Sequence, residues 1–169
     1  MANIQTLFGE RIIKGARFSK DKKHRFALWR IWDEAKPVVM FIGLNPSKAD
    51  GNADDPTIQS VERLSRFNGF GGFFMMNCFS FISTNPKHLV ATQETYEQKL
   101  NDRFLILISA KCKEIVFAWG SFKIVRLFGR PSELAKMFPI AKCICKNNDG
   151  SPGHPLFKKE ETKFINYDI

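Results

Sequence analysis

Four nearly continuous apolar runs punctuate the chain: PVVMFIGL at residues 37–44, FFMMNCFSF at 73–81, EIVFAWG at 114–120 and AKCICK at 141–146. Short runs of this kind, rich in β-branched and aromatic residues, predict strands buried on both faces. The intervening segments switch to helical spacing. Asp55-Pro56-Thr57 predicts a helix start, with Asp55 as N-cap and Pro56 in the first turn. Ile58, Val61, Leu64 and Phe67 then share one face, and NGFGG ends the helix. Residues 86–113 read as a loop and a long helix, and 122–128 and 131–137 as two shorter helices. Upstream, ARF and HRFALWRIWD flank the polar turn SKDKKH and predict a hairpin over residues 17–33. NNDGSPGHPLF reads as a tightly turning loop, and the tail beyond Lys158 has no strong pattern.

Buried strands alternating with helices imply an α/β fold. The expectation is a three-layer α/β/α sandwich with a mostly parallel central sheet of about four strands, plus the N-terminal antiparallel hairpin at an edge. The length suits one domain over residues 1–169, with 1–36 as a hairpin extension and 37–157 as the core. Ligands in such folds bind beyond the carboxyl ends of the strands. That rule selects Asn45-Pro46-Ser47, residues 77–81, Trp119-Gly120-Ser121 and residues 150–155.

A hydrophobic fraction of 44% supports a packed core and excludes wholesale disorder. The formal net charge of +9 favours a polyanionic partner, DNA or RNA, and no basic amphipathic helix offers a membrane anchor. Seventeen phenylalanines are unusual; core filling accounts for most of them, and a surplus of flat rings suits base stacking. The first ten residues lack the apolar core of a signal peptide, and no run approaches the ~20 residues of a membrane span. The expectation is a cytoplasmic monomer. Cys78, Cys112, Cys143 and Cys145 do not have the spacing of a zinc or iron–sulfur site, so no metal or cofactor is expected.

Four segments, in order, carry a resemblance. GLNPS resembles the first motif of the uracil-DNA glycosylase superfamily, closest to the GINPG form of its mismatch-specific branch. MMNCFSF looks like the strand bearing that superfamily's base-reading Asn, FAWGS like the strand that follows, and GHPLF like its final HPSP or HPSA motif. The whole chain also resembles a bacterial and phage family of unassigned activity that carries LWRIW, LNPS-AD, DDPTI, AWG and a final HPL. The first resemblance implies that Asn45 orients a water, Asn77 reads an extruded base, and His154 donates to the base carbonyl while its loop presses into the minor groove. Ser47 stands where strict uracil enzymes carry a bulky Tyr, which implies a pocket open to pyrimidines modified at the fifth carbon. The structural alternatives are a turn cap for Asn45, a strand tie for Asn77 and a surface turn for His154.

Further candidates come from chemistry and position. Asp50 and Asp54 are candidates for the stronger base that an amide cannot supply, or for a metal site. Phe79 and Trp119 are candidates to stack on the base. Lys48, Lys87, Lys123, Arg126 and Lys158, with Ser121, Ser151 and Gly153, are candidate DNA contacts. His24 and His88 lie in polar segments and are expected to be solvated. The resulting expectation is a DNA glycosylase that flips and excises a pyrimidine, including the hypermodified bases of phage DNA, in repair or anti-phage defence. The alternatives are a nucleotide hydrolase or transferase with an acidic magnesium site, and a nucleic-acid-binding module without chemistry.

Overall fold

The apolar runs become neighbouring strands of one sheet. The computed structural model describes residues 11–47, 53–85, 88–89 and 95–168. Along the chain, β1 (Ile13–Phe18) and β2 (Arg25–Ile31) form the hairpin, followed by β3 (Val38–Gly43), α1 (Pro56–Phe67), β4 (Gly72–Asn77) and α2 (Tyr96–Ser109). Then come β5 (Glu114–Phe117), α3 (Lys123–Leu127), α4 (Arg130–Met137), β6 (Lys142–Cys143) and β7 (Ile165–Asn166). The spatial order is β1-β2-β4-β3-β5-β6-β7. β4, β3, β5 and β6 run parallel, while β1, β2 and β7 are antiparallel to their neighbours.

The mixed α/β expectation holds, but the sheet has seven strands among the described residues. As expected, the hairpin adds antiparallel strands at one edge of the sheet, with β1 outermost. Its second arm, β2, pairs with β4 and lies inside the sheet, with Leu28 opposite Met75. AKCICK supplies only a two-residue strand, and the unpatterned tail returns to pair with it as β7. A strand of two residues is too short to show a period.

Side chains alternate across β3, so each face builds its own core. Val39 and Phe41 pack with Ile58, Val61 and Leu64 of α1. Met40 and Ile42 pack on the opposite face with Leu105 of α2, Val125 of α3 and Leu134 of α4. Cover on both faces explains why these strands read as continuous apolar runs.

The carboxyl ends of β3 and β4 are held firmly. Beyond the strands, Cys78 donates its backbone N–H to Gly43 and Phe79 to Leu44. Asn101 of α2 donates its side-chain amide to the Asn77 carbonyl at 3.0 Å, and Gln98 donates to the Cys78 carbonyl at 2.8 Å. Arg130, ion-paired with Asp102 at 2.7 Å, donates to that same Cys78 carbonyl. Asp55 caps α1 as expected, accepting from the Ile58 N–H at 2.9 Å, and Pro56 follows it.

Candidate active site at the carboxyl ends of β3 and β4

Gly43 and Asn77 are paired across the parallel strands, so the last side chain of β4 projects beside a residue that has none. A Cβ on Gly43 would stand 2.5 Å from Met75 Cε and 3.1 Å from Asn77 Oδ1. Glycine therefore leaves the space that the Asn77 amide occupies. Asn77 is 1% exposed, and its Nδ2 has no hydrogen-bond partner among the described residues. Such a donor costs about 1–3 kcal/mol to bury.

Asn77 lines a pocket enclosing about 310 Å³ together with Asn45, Ser47 and His154. Three segments far apart in the sequence thus converge as expected. The remaining wall comes from Arg25, Asp55, Thr57, Ile58, Met75, Ser83, Thr84 and Phe122, with Gly43 and Leu44. The α1 N-terminus, with Asp55, Thr57 and Ile58, forms one side.

Asn45 is oriented by its own amide. Nδ2 donates to the carbonyls of Ser83 at 2.7 Å, Pro46 at 3.0 Å and Phe81 at 3.3 Å. Three acceptors around one atom fix which end of the amide is nitrogen. Oδ1 then remains as an acceptor, and no described residue donates to it. Ser47 donates from Oγ to Asp55 Oδ2 at 2.7 Å, which holds this small side chain against the α1 cap.

His154 has a defined tautomer. The Leu156 N–H donates to Nδ1 at 3.1 Å, so the neutral ring carries its proton on Nε2. Burial lowers the His154 pKa from its ordinary value; nearby Asp55 opposes that shift and Lys158 adds to it. The ring is therefore a neutral donor. Gly120 helps to seat it, with a positive φ of 77° and a Cβ position 3.3 Å from His154 Cβ. Gly120 also donates its N–H to the Pro152 carbonyl, joining the β5 exit to the His154 loop.

Several candidates lie elsewhere. Asp54 accepts from Nη2 of buried Arg30 at 2.5 Å and from Nε at 3.0 Å, and does not line the pocket. It compensates a buried guanidinium, a role that its sequence neighbourhood gave no sign of. Phe79 and Trp119 are core residues: Phe79 meets Phe128 edge-on and Trp119 packs on Phe117 at 4.7 Å. Neither ring reaches the pocket. Ser121 and Ser151 hydrogen-bond to each other at 2.9 Å and to Asp149, and Asn147 joins them, so they brace the loop. Gly153 is buried, with its N–H on the Cys145 carbonyl at 2.7 Å.

Arg126 pairs with Asp149 at 3.1 Å, whereas Lys123 is exposed and Lys158 half-buried near the His154 loop. Asp50, Lys48 and Lys87 lie outside the described residues. His24 is buried rather than solvated, its Nδ1 2.8 Å from Ser80 Oγ, and burial lowers its pKa. His88 is exposed and touches Ser83 Oγ at 3.2 Å.

Three residues were not singled out as site residues. Phe122, 40% exposed, is the aromatic ring that lines the pocket among the described residues. It follows Trp119-Gly120-Ser121, so the carboxyl-end rule extended by one residue finds it. Arg25 is a buried guanidinium on the pocket wall, brought there by the β2–β4 pairing. Phe157 is 94% exposed with φ 62°, a left-handed conformation rare for a bulky residue. It stands three residues past His154, in the turn that follows.

Among the described residues no helix is long and apolar enough to cross a membrane. No curated protein and no solved structure matches the chain. A family model described as Protein of unknown function (DUF1643) matches residues 25–156, a span that takes in every residue lining the pocket. That match covers more than three quarters of the sequence, and the chain belongs to this family.

Proposed function

We propose that this protein is a DNA N-glycosylase with a uracil-DNA glycosylase-like fold, which takes an extruded pyrimidine into the pocket and hydrolyses its glycosidic bond. The observation that carries this reading is the buried Asn77 amide with an unpaired donor beside the cavity. A side-chain amide offers a donor and an acceptor, the complement of a pyrimidine's Watson–Crick edge. A base that pairs with it relieves the cost of the unpaired group.

The surrounding groups suit the remaining steps. Cleavage puts negative charge on the departing base and positive charge on the sugar. The neutral His154 Nε2–H is a suitable donor to a base oxygen as charge builds there. Asn45 Oδ1 is a suitable acceptor to orient the attacking water. Phe122 offers a stacking face, and Phe157 offers an apolar wedge to occupy the gap left in the duplex. The pocket volume falls at the low end of the ~300–1,000 Å³ usual for small-ligand sites. Ser47 leaves room for a substituent at the fifth carbon, so modified pyrimidines are the favoured substrates, whether in repair or in defence against phage DNA. The protein acts as a monomer in the cytoplasm, attracted to DNA by its net charge of +9.

The metal-dependent alternative has less support. Asp54 is committed to Arg30 and does not line the pocket, which leaves Asp55 as the lone carboxylate on its wall among the described residues. The test is incubation with duplexes bearing uracil, thymine mispairs, or oxidised and glycosylated cytosines, followed by alkaline cleavage at abasic sites. Release of at least one base, unchanged by chelators, is expected. Tight, salt-sensitive binding with no abasic product from any duplex would replace this reading with a binding module.

A further inference from the structure

Of the described residues that line the pocket, Asp55 alone is acidic. Helix capping accounts for only part of its geometry. Oδ1 accepts from the Ile58 N–H at 2.9 Å and Oδ2 from Ser47 Oγ at 2.7 Å. An ionised carboxylate has about four acceptor sites, so each oxygen keeps capacity after these bonds. The two donors hold the group in one orientation, and the positive end of α1 favours its charge. Asp55 and His154 also interact electrostatically, as expected of groups on one cavity. Asn45 supplies no charge and no strong base, yet the reaction develops a cation at the sugar.

We propose that Asp55 is the catalytic carboxylate of this pocket, facing the sugar while Asn77 and His154 hold the base. This rests on the glycosylase reading and adds the residue that takes the proton. The bond from C1′ to the base nitrogen breaks, and its electron pair leaves with the base. Water held by Asn45 Oδ1 bonds through oxygen to C1′. One water proton passes to Asp55, and the other remains on the new hydroxyl of the abasic sugar. Asp55 then returns its proton to solvent, and the base anion takes one up. Before water bonds, the carboxylate charge stabilises the cationic sugar.

The deciding variant is Asp55→Asn, because asparagine caps helices as well as aspartate does. Asp55→Ser, also a good cap, is the second variant should the first fold poorly. Two readouts are needed. Single-turnover base release from the best duplex should fall on the order of 10²-fold or more, with duplex affinity unchanged. Wild type should also bind a duplex carrying a cationic pyrrolidine abasic analogue more tightly than one carrying the neutral tetrahydrofuran analogue, and the variant should lose that preference. If wild type releases a base and both variants keep its rate and its preference, Asp55 is only a cap and the inference is overturned, while the glycosylase reading stands. If wild type releases no base and binds neither analogue, the glycosylase reading fails and takes this inference with it.

Discussion

Replacing Asn77 by leucine should make the ligand-free protein more stable while destroying its site. Asn77 Nδ2 is buried without a partner among the described residues. An unsatisfied donor of this kind costs about 1–3 kcal/mol. Leucine has a similar outline and no donor, and it packs beside Met75 Cε in the space left by Gly43. It also favours strand geometry more than asparagine does. Part of the gain is offset by the strain of fitting the two leucine methyls beside Met75 Cε. A net stabilisation of about 1–2 kcal/mol remains. For a chain of 169 residues, ~1 kcal/mol moves the melting temperature by about 2–4 °C. The assay is thermal unfolding of wild type and Asn77→Leu without DNA, paired with abasic-site formation on the best substrate. The expected result is a melting temperature raised by about 2–8 °C with loss of base release. A melting temperature lowered by several degrees would refute the reasoning: the amide would then be a satisfied strand tie, and its claim to read a base would lose its physical basis.

Phe122→Ala should weaken binding of an extruded base by about 1–3 kcal/mol, the usual worth of one base–aromatic stack, with little change in melting temperature because the ring is 40% exposed. Fluorescence anisotropy with an abasic duplex and free base separates the two effects. Asp54→Asn should cost about 2 kcal/mol of stability, less than a fully buried pair, since a quarter of the Asp54 side chain meets solvent. Its base release at a permissive temperature should match wild type; a selective loss of rate would return Asp54 to the catalytic set. Burial lowers the His154 pKa, so the folded state holds fewer protons than the unfolded chain just below the ordinary histidine value. The stability from the neutral ring is complete above that value and is lost as pH falls through the depressed one. Base release should fall over the same range as Nδ1 protonates and the Leu156 N–H loses its acceptor. Melting curves across pH for wild type and His154→Gln, with an NMR titration of the ring, check both points.

Much of the frame was legible in the linear order of residues. Periodicity located β3, β4 and β5, and the Asp55-Pro56 pair marked the start of α1. The carboxyl-end rule selected Asn45, Ser47, Asn77 and His154, and all four line one pocket. These features are local: a strand's alternation, a cap or the exit of a strand depends on a few adjacent residues. Tertiary structure decided which charges and rings serve the core and which serve the site. Burial of Arg30 claimed Asp54, the packing of Phe117 and Tyr167 claimed Trp119, and Phe122 was left facing the cavity. Pairing of β2 with β4 carried Arg25 onto the pocket wall and buried His24 against Ser80, 56 positions away. Partners that distant leave no trace in sequence spacing, because the free energy that selects them arises only when the sheet and its two cores assemble.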